Sequence, residues 1–321
     1  MCIRDRDNNL TKISCDHCVY SRNMNFSIVQ REDLKVQKWD DLVSRTEGVA
    51  VFSSSFYLDA VAENWCVLVN DDYTAGVALP YTVRARRKIL YTPIFVSYLE
   101  VLGDVSLDEN VSRLIQKQFK TIEIELDKAL FGDPQEVFVT QFLNPSLKRK
   151  GQVNRMLNKS KRAELEVTLV NNWTKVFDVM KSELLGKFSG MTEASLQRLK
   201  KAYGAAEQLD LIKTFEIQKG NQCVGGIICI EKNGQLLYSK GACLQEAREQ
   251  GGMYAAIDAA IMYAQEKNLS FDFGGSRVEG VRRFNVAFGG EDTEYYSYRI
   301  DRSPRWFRWV RRMKKRWGKK S

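Results

Sequence analysis

The chain has 321 residues, 44% of them hydrophobic, with 49 Lys and Arg against 40 Asp and Glu. No apolar run reaches the about 18 residues of a membrane-spanning helix, so a helical membrane span is excluded and roughly two domains with an ample core are expected. Ten of the basic residues, the first Arg302 and the last Lys320, share a stretch without acids; without them 39 basic face 40 acidic residues, so the net charge of +9 belongs to the tail rather than the body.

Residues 1–23 hold the one histidine, His17, and three of the seven cysteines, Cys2, Cys15 and Cys18. This segment has neither helical nor strand period and no signal-peptide stretch, and it reads as a non-native or disordered leader with the native start at Met24. Cys15, Asp16, His17 and Cys18 lack a second ligand pair at finger spacing, so no metal is expected. From Met24 onward there is no histidine, which removes Ser-His-Asp and Cys-His chemistry and histidine-ligated metals. Cys66, Cys223, Cys229 and Cys243 stand in apolar, strand-like contexts and read as buried free thiols of a reducing compartment.

The first half, 24–145, opens with a strand over 26–29. Asp33 then caps a helix whose Val36, Trp39 and Val43 share one face. A short helix follows Ser55, and strands are expected at 66–70, 75–84, 89–91 and 100–102. A helix over 107–119 leads to strands at 122–126 and 136–143.

Between the halves, 144–162 carries seven basic residues: Lys148, Arg149, Lys150, Arg155, Lys159, Lys161 and Arg162. The second half, 146–300, repeats the plan. A strand at 165–170 precedes helices at 176–185 and 192–208, the latter with Leu196, Leu199 and Tyr203 in one stripe. Strands at 212–218, 222–231 and 235–244 come next, the last two joined by Asn233-Gly234, a strong hairpin signal between apolar runs. Gly251 and Gly252 open a helix with Met253, Ile257, Ala260, Ile261 and Ala264 on one face. Residues 269–300 then read as a short strand ending near Asp272 and Phe273, a break at Gly274-Gly275, a basic turn at Arg282-Arg283, a second break at Gly289-Gly290 and a strand over 295–300.

The series Asp272, Gly274, Gly275, Gly280, Arg283, Phe284, Asn285, Phe288 and Gly289 resembles the C-terminal motif of FemAB-like transferases, a branch of the GNAT acyltransferase superfamily. Asn285 stands where that element commonly carries lysine. In the first half, SSSFYLDAVAENW, VALPYTVRARRKIL and Tyr98-x-Glu100-x-Leu102-Gly103 resemble the N-terminal GNAT-like domain of the same branch, and the basic stretch from Asn154 resembles the helix that opens its second domain. The resemblance covers 24–300. It implies an α/β fold of two tandem GNAT-like domains, each a mixed, mainly antiparallel sheet flanked by helices, and an enzyme that acylates an amine of a cell-envelope or glycan precursor.

Acyl transfer to an amine needs a neutral nitrogen beside an activated carbonyl and donors facing the developing oxyanion. Without histidine, the base is a carboxylate, a tyrosine or a water chain. Asp272 is the first candidate and Glu279 the second, each equally able to be a structural hydrogen-bonding group. Tyr238, Tyr295, Tyr296 and Tyr298 are candidate acids, although strand tyrosines often only pack. Arg283 would hold a carboxylate or phosphate, and Asn285 occupies the position of the family's cation. Acyl-CoA is the expected donor. Its pyrophosphate would meet Arg248, Gln250, Gly251, Gly252 and Met253 at a helix start, where N–H groups are unpaired; a plain glycine helix start is the alternative. Aminoacyl-tRNA is the second donor, disfavoured by Asn285 and by the absence of room for a coiled-coil insertion, and a non-catalytic binding module is the third reading. In the tail, 301–321, helical spacing puts Trp306, Trp309, Val310, Met313 and Trp317 on one side among basic residues. That pattern predicts an interfacial helix on an anionic membrane, hence a cytoplasmic protein peripheral to the inner membrane face, with RNA as the competing partner and a disordered solubilising tail as the third reading.

Overall fold

The computed structural model describes residues 25–302 except 47, 49, 50, 104, 106–108, 188, 189 and 276. The leader with Cys15, His17 and Cys18, the start at Met24 and the tail from 303 onward lie outside the described residues. The first half consists of β1 (Phe26–Gln30), α1 (Val36–Arg45), α2 (Ser55–Val61), β2 (Asn64–Asn70), β3 (Gly76–Arg84), β4 (Arg87–Tyr91), β5 (Val101–Leu102), α3 (Glu109–Gln118), β6 (Thr121–Leu126) and β7 (Glu136–Leu143). The second consists of α4 (Gly151–Arg162), β8 (Leu165–Val170), α5 (Thr174–Leu184), α6 (Glu193–Gln208), β9 (Ile212–Lys219), β10 (Gln222–Lys232), β11 (Gln235–Cys243), α7 (Gln245–Glu249), α8 (Gly252–Glu266), β12 (Ser270–Asp272), α9 (Glu279–Ala287) and β13 (Gly290–Asp301).

Local chemistry accounts for many of these elements. Asn233 and Gly234 turn β10 into β11 with both residues at positive φ, as a two-residue hairpin requires. Thr192 accepts from Ser195 N and Ser195 Oγ accepts from Thr192 N, a reciprocal cap that starts α6 and leaves Leu196, Leu199 and Tyr203 to face the core. On α8, Ala256, Ile257, Ala260, Ile261 and Ala264 are buried, and each isoleucine contributes roughly 1.5–3 kcal/mol. Two expectations are corrected. Asp33 ends a short 3-10 turn, and α1 begins after Lys35. The basic turn at Arg282-Arg283 is the middle of helix α9, where Glu279 pairs with Arg282 and Arg283 at i+3 and i+4 and Asn285 and Ala287 are buried.

The strands among the described residues form one sheet in the order β1-β2-β3-β4-β6-β13-β7-β12-β11-β10-β9-β8, with β5 on β3. Each half contains one parallel pair followed by a last antiparallel strand. In the first, β4 runs parallel to β6 (Ile89↔Thr121, Leu90↔Ile122, Tyr91↔Glu123); in the second, β11 runs parallel to β12 (Gln235↔Ser270, Leu236↔Phe271, Leu237↔Asp272). The last strands are exchanged: β13 lies between β6 and β7, and β7 pairs with β12 through Asp272↔Phe142. One apolar cluster runs through both halves, from Trp39 and Leu58 to Tyr203, Ile228 and Leu237, while a second packs α4, α8 and α9 on the second half's sheet. Cys66, Cys229 and Cys243 are buried free thiols and Cys223 is a half-buried one.

Candidate functional site

Asp272 ends β12 at the seam between the halves, 1% exposed. Its Oδ1 accepts the Gly274 N–H at 2.8 Å, and burial pushes its carboxyl up to about 7. The chain then turns at Gly274, whose φ of +77° and missing side chain are both required: a Cβ there would lie 2.3 Å from the Tyr238 carbonyl oxygen. The Gly274 carbonyl accepts from Ser97 Oγ at 2.7 Å, which ties the loop between β4 and β5 to the turn after β12 across 177 residues of sequence. The Thr140 hydroxyl of β7 is buried and faces Asp272 without making a hydrogen bond of ordinary geometry.

Two carboxyl groups of the first half, with Asp272, act electrostatically on Tyr98. Glu100 is 2% exposed; its Oε2 accepts a short hydrogen bond from Ser53 Oγ, its Oε1 has no partner among the described residues, and burial raises its carboxyl to about 7. Asp127 accepts the Val101 N–H at 2.8 Å, and burial raises it to about 6. Burial first, and then Asp272, Glu100 and Asp127, push the Tyr98 hydroxyl well above its ordinary value. Its ring packs on Tyr295 at 5.3 Å and on Phe52 at 5.9 Å. None of Ser97, Tyr98, Glu100, Asp127 and Thr140 was singled out from sequence as a site residue, although Tyr98 and Glu100 lie in the Tyr-x-Glu-x-Leu-Gly element that resembles the family.

From Tyr295 the site continues outward through Phe138 to Arg277. Arg277 lies over the Phe138 ring at 4.2 Å and pairs with Glu125 at 2.6 Å. It lines two hollows: one of about 280 Å³ with Val137, Phe138, Val139, Glu279 and Arg282, the other of about 460 Å³ with Tyr91, Thr92, Val96, Glu123, Glu125 and Arg299. Arg277 of segment 269–300 therefore borders open space beside β7 and beside β6. Arg277 too was missed: it is one arginine among several in sequence, and only the fold sets it between the hollows.

The sequence candidates are dispersed around this centre. Glu279 is exposed at the rim of the smaller hollow. Arg283 points the other way, exposed, into a hollow of about 240 Å³ lined by Gln152, Tyr254, Gly280, Phe284 and Ala287. Asn285 is fully buried; its Nδ2 donates to Gln141 Oε1 at 2.9 Å, and Gln141 Nε2 donates to Asp292, the partner of Arg282. Tyr238 is half-buried on the α8 side of the sheet, and burial raises its hydroxyl. Of the other tyrosines, Tyr298 donates to the Gly132 carbonyl in the first half's core, and Tyr296 pairs with Leu126 and Val137.

At the expected cofactor loop, the start of α8 faces protein. Gly251 adopts φ +90°, and a Cβ there would stand 2.5 Å from the Met156 carbonyl oxygen of α4. Arg248 pairs with Glu183 at 2.6 Å and donates to the Cys243 carbonyl at 3.0 Å. Gln250 donates to Glu246, Gly252 is buried, and Met253 packs partly into the α8 core. Among the described residues no group of three or more His, Cys, Asp or Glu is arranged to hold a metal ion, and no helix is long and apolar enough to cross a membrane.

No family model matches the chain, and no curated protein matches it by sequence. Solved structures do match its fold. FemX aligns over 87% of this chain and 98% of its own, at TM-score 0.58 and 9% identity. A conserved protein of unknown function from Bacteroides thetaiotaomicron aligns over 87% and 100%, at TM-score 0.58 and 10% identity. L-PGS from Bacillus licheniformis aligns over 84% and 92%, at TM-score 0.52 and 13% identity. Likeness at this identity is a likeness of fold, and with its paired parallel-strand openings and one mixed sheet flanked by helices, this chain has a FemAB/GNAT-like fold.

Proposed function

We propose that the protein is a transferase that passes an acyl group from an activated carrier to the amino group of a cell-envelope or glycan precursor. The observation that carries this reading is the buried Asp272 carboxyl at the end of β12, where its pairing with β11 stops, raised to about 7 and beside the turn held by Ser97 of the first half. A carboxyl group in that range can take a proton from an ammonium or a tetrahedral adduct at neutral pH. The amine nitrogen attacks the donor carbonyl carbon, the C–S or C–O bond of the carrier breaks, and the proton released from nitrogen passes through Asp272 to the departing thiol or hydroxyl. The alternative of a non-catalytic GNAT-like module has no need of a carboxyl group held at such cost.

Acyl-CoA is the first donor reading, from the strand-to-helix junction at Arg248, Gln250, Gly251, Gly252 and Met253. A specific observation favours the second, aminoacyl-tRNA: the Met156 carbonyl sits against Gly251, where a CoA pyrophosphate would need access, and α4, which brings it there, is rich in Lys and Arg. The basic tail from Arg302 supports attachment to an anionic membrane on the cytoplasmic face. Purified protein incubated with acetyl-CoA and an amine panel, with thiol release followed, tests the first donor; RNase-sensitive transfer from charged tRNA tests the second. Silence with both, from protein that binds neither carrier, would remove the transferase reading.

A further inference from the structure

The hollow at Arg283 has no carboxyl group in its lining. Tyr254 of α8 and Phe284 of α9 wall it, half-buried, with their rings edge to face at 4.8 Å. Gly280, in the first turn of α9, borders open space: a Cβ there would meet nothing within 4 Å. Gln152 of α4 donates from Nε2 to the Tyr254 hydroxyl at 3.1 Å, and its Oε1 has no partner among the described residues. Arg283 meets Glu279 only at 3.9 Å, which leaves its guanidinium fork open to an anion. Lys150 donates its backbone N–H to the Ala287 carbonyl of the lining at 2.9 Å; its side chain and that of Lys148 are exposed and form no ion pair among the described residues. They belong to a stretch, 144–163, with seven cations and no acid. At about 240 Å³ the hollow is smaller than the roughly 300 Å³ at which sites for whole drug-sized ligands begin. It therefore takes one ring system and leaves the rest of a ligand outside, among these cations.

We propose that Gln152, Tyr254, Gly280, Arg283 and Phe284 form a binding site for an adenosine 5′-phosphate unit. The base enters the hollow against the Tyr254 and Phe284 rings, since an aromatic wall holds a flat π-system. Gln152 Oε1 accepts from the amino group of adenine, where guanine presents a carbonyl oxygen that would meet it acceptor to acceptor. The phosphate stays at the rim, on the Arg283 fork and the Lys150 ammonium. CoA and charged tRNA both contain this unit. With the Gly251 junction closed by Met156, the hollow about one turn further along α8 offers the carrier an open place. The inference rests on the transferase reading only in assigning the nucleotide to the acyl donor; the site itself stands on the hollow and the charges around it.

The test uses the full chain and AMP as probe in titration calorimetry, with adenosine and GMP as controls. Saturable AMP binding is expected, with adenosine about tenfold weaker or more for want of charge-assisted bonds to phosphate, and GMP several-fold weaker. Gly280→Leu fills the open space without backbone strain, because glycine is the poorer helix former, and should abolish AMP binding in a protein that melts within a few degrees of the parent. Should that variant not fold, Arg283→Gln, at an exposed side chain, carries the test: AMP binding about tenfold weaker and less sensitive to salt. Competition then separates the sources. Displacement of AMP by CoA identifies one carrier; displacement by tRNA with its 3′-terminal adenosine, but not by tRNA trimmed of it, identifies the other. AMP bound no more tightly than adenosine or GMP, or bound unchanged by the folded variant, overturns the proposal. AMP binding as described with no transfer from either carrier sinks the transferase reading alone; transfer without AMP binding sinks this site alone.

Discussion

Asp272 should cost the protein stability, and removing its charge should return it. A carboxyl with an unfolded pKa of about 3.9 that folds at about 7 carries a gap of about three units, each worth about 1.36 kcal/mol. The sign follows from proton binding: the native state holds the proton more tightly, so folding is favoured at low pH and loses free energy as pH rises from the unfolded value through the folded one. The penalty is below about 1 kcal/mol at pH 4 and levels off at about 4 kcal/mol above pH 7. Asp272→Asn keeps an oxygen for the Gly274 N–H and presents an amide N–H to the Thr140 hydroxyl. Urea denaturation of both proteins at pH 4, 5, 6, 7 and 8 reads the difference, which should grow in favour of the variant toward that plateau. Transfer activity should fall at least about a hundredfold, as for loss of a general base. A variant no more stable than the parent at pH 8, or a difference that does not grow with pH, would refute the assignment of a buried, proton-hungry carboxyl.

Gly274→Ala should lower stability by about 2–4 kcal/mol, from left-handed backbone strain plus a Cβ 2.3 Å from the Tyr238 carbonyl oxygen, and an unchanged urea midpoint would contradict that contact. Asn285→Lys, which installs the family's lysine, should cost about 3 kcal/mol or more in a chemical melt because the amide is fully buried on Gln141; a folded variant with raised activity would show that the position opens to substrate. Cutting the chain after Phe288 removes β13 from between β6 and β7 and should leave circular dichroism of an unfolded protein. Cutting after Arg302 should leave the melting temperature within a few degrees of the parent and abolish sedimentation with anionic vesicles; retained sedimentation would remove the tail from the membrane proposal.

Much of the architecture could be read from short-range chemistry. The Asn233-Gly234 hairpin, the Leu196, Leu199 and Tyr203 stripe and the apolar face of α8 are each set by residues a few positions apart, and the structure keeps all three. The likeness of the C-terminal glycine and arginine series to FemAB-like transferases led to the fold that the solved structures share. The miss at α9 has a local cause as well. Glycines at both ends and two arginines signal a turn, but Val281, Phe284 and Phe288 recur at helical spacing and Glu279 sits where it can pair with both arginines.

The site was less legible because its defining interactions join distant residues. Asp272 could be picked as the end of a strand, yet Ser97, which holds the turn after it, and Thr140, which faces it, lie in the other half. Gly251 could be read as a phosphate cradle or a helix start, and only the approach of α4 through Met156 distinguished the two.

What the amino-acid order determined by itself is the period of each element, the position of its breaks and the plan repeated in the two halves, since these depend on neighbours along the chain. What tertiary structure alone decided is the exchange of β7 and β13 and, where β7 meets β12, the burial of Asp272. Strand partners are chosen by packing and backbone pairing between residues more than a hundred positions apart, and a carboxyl group's proton affinity follows the water it loses there.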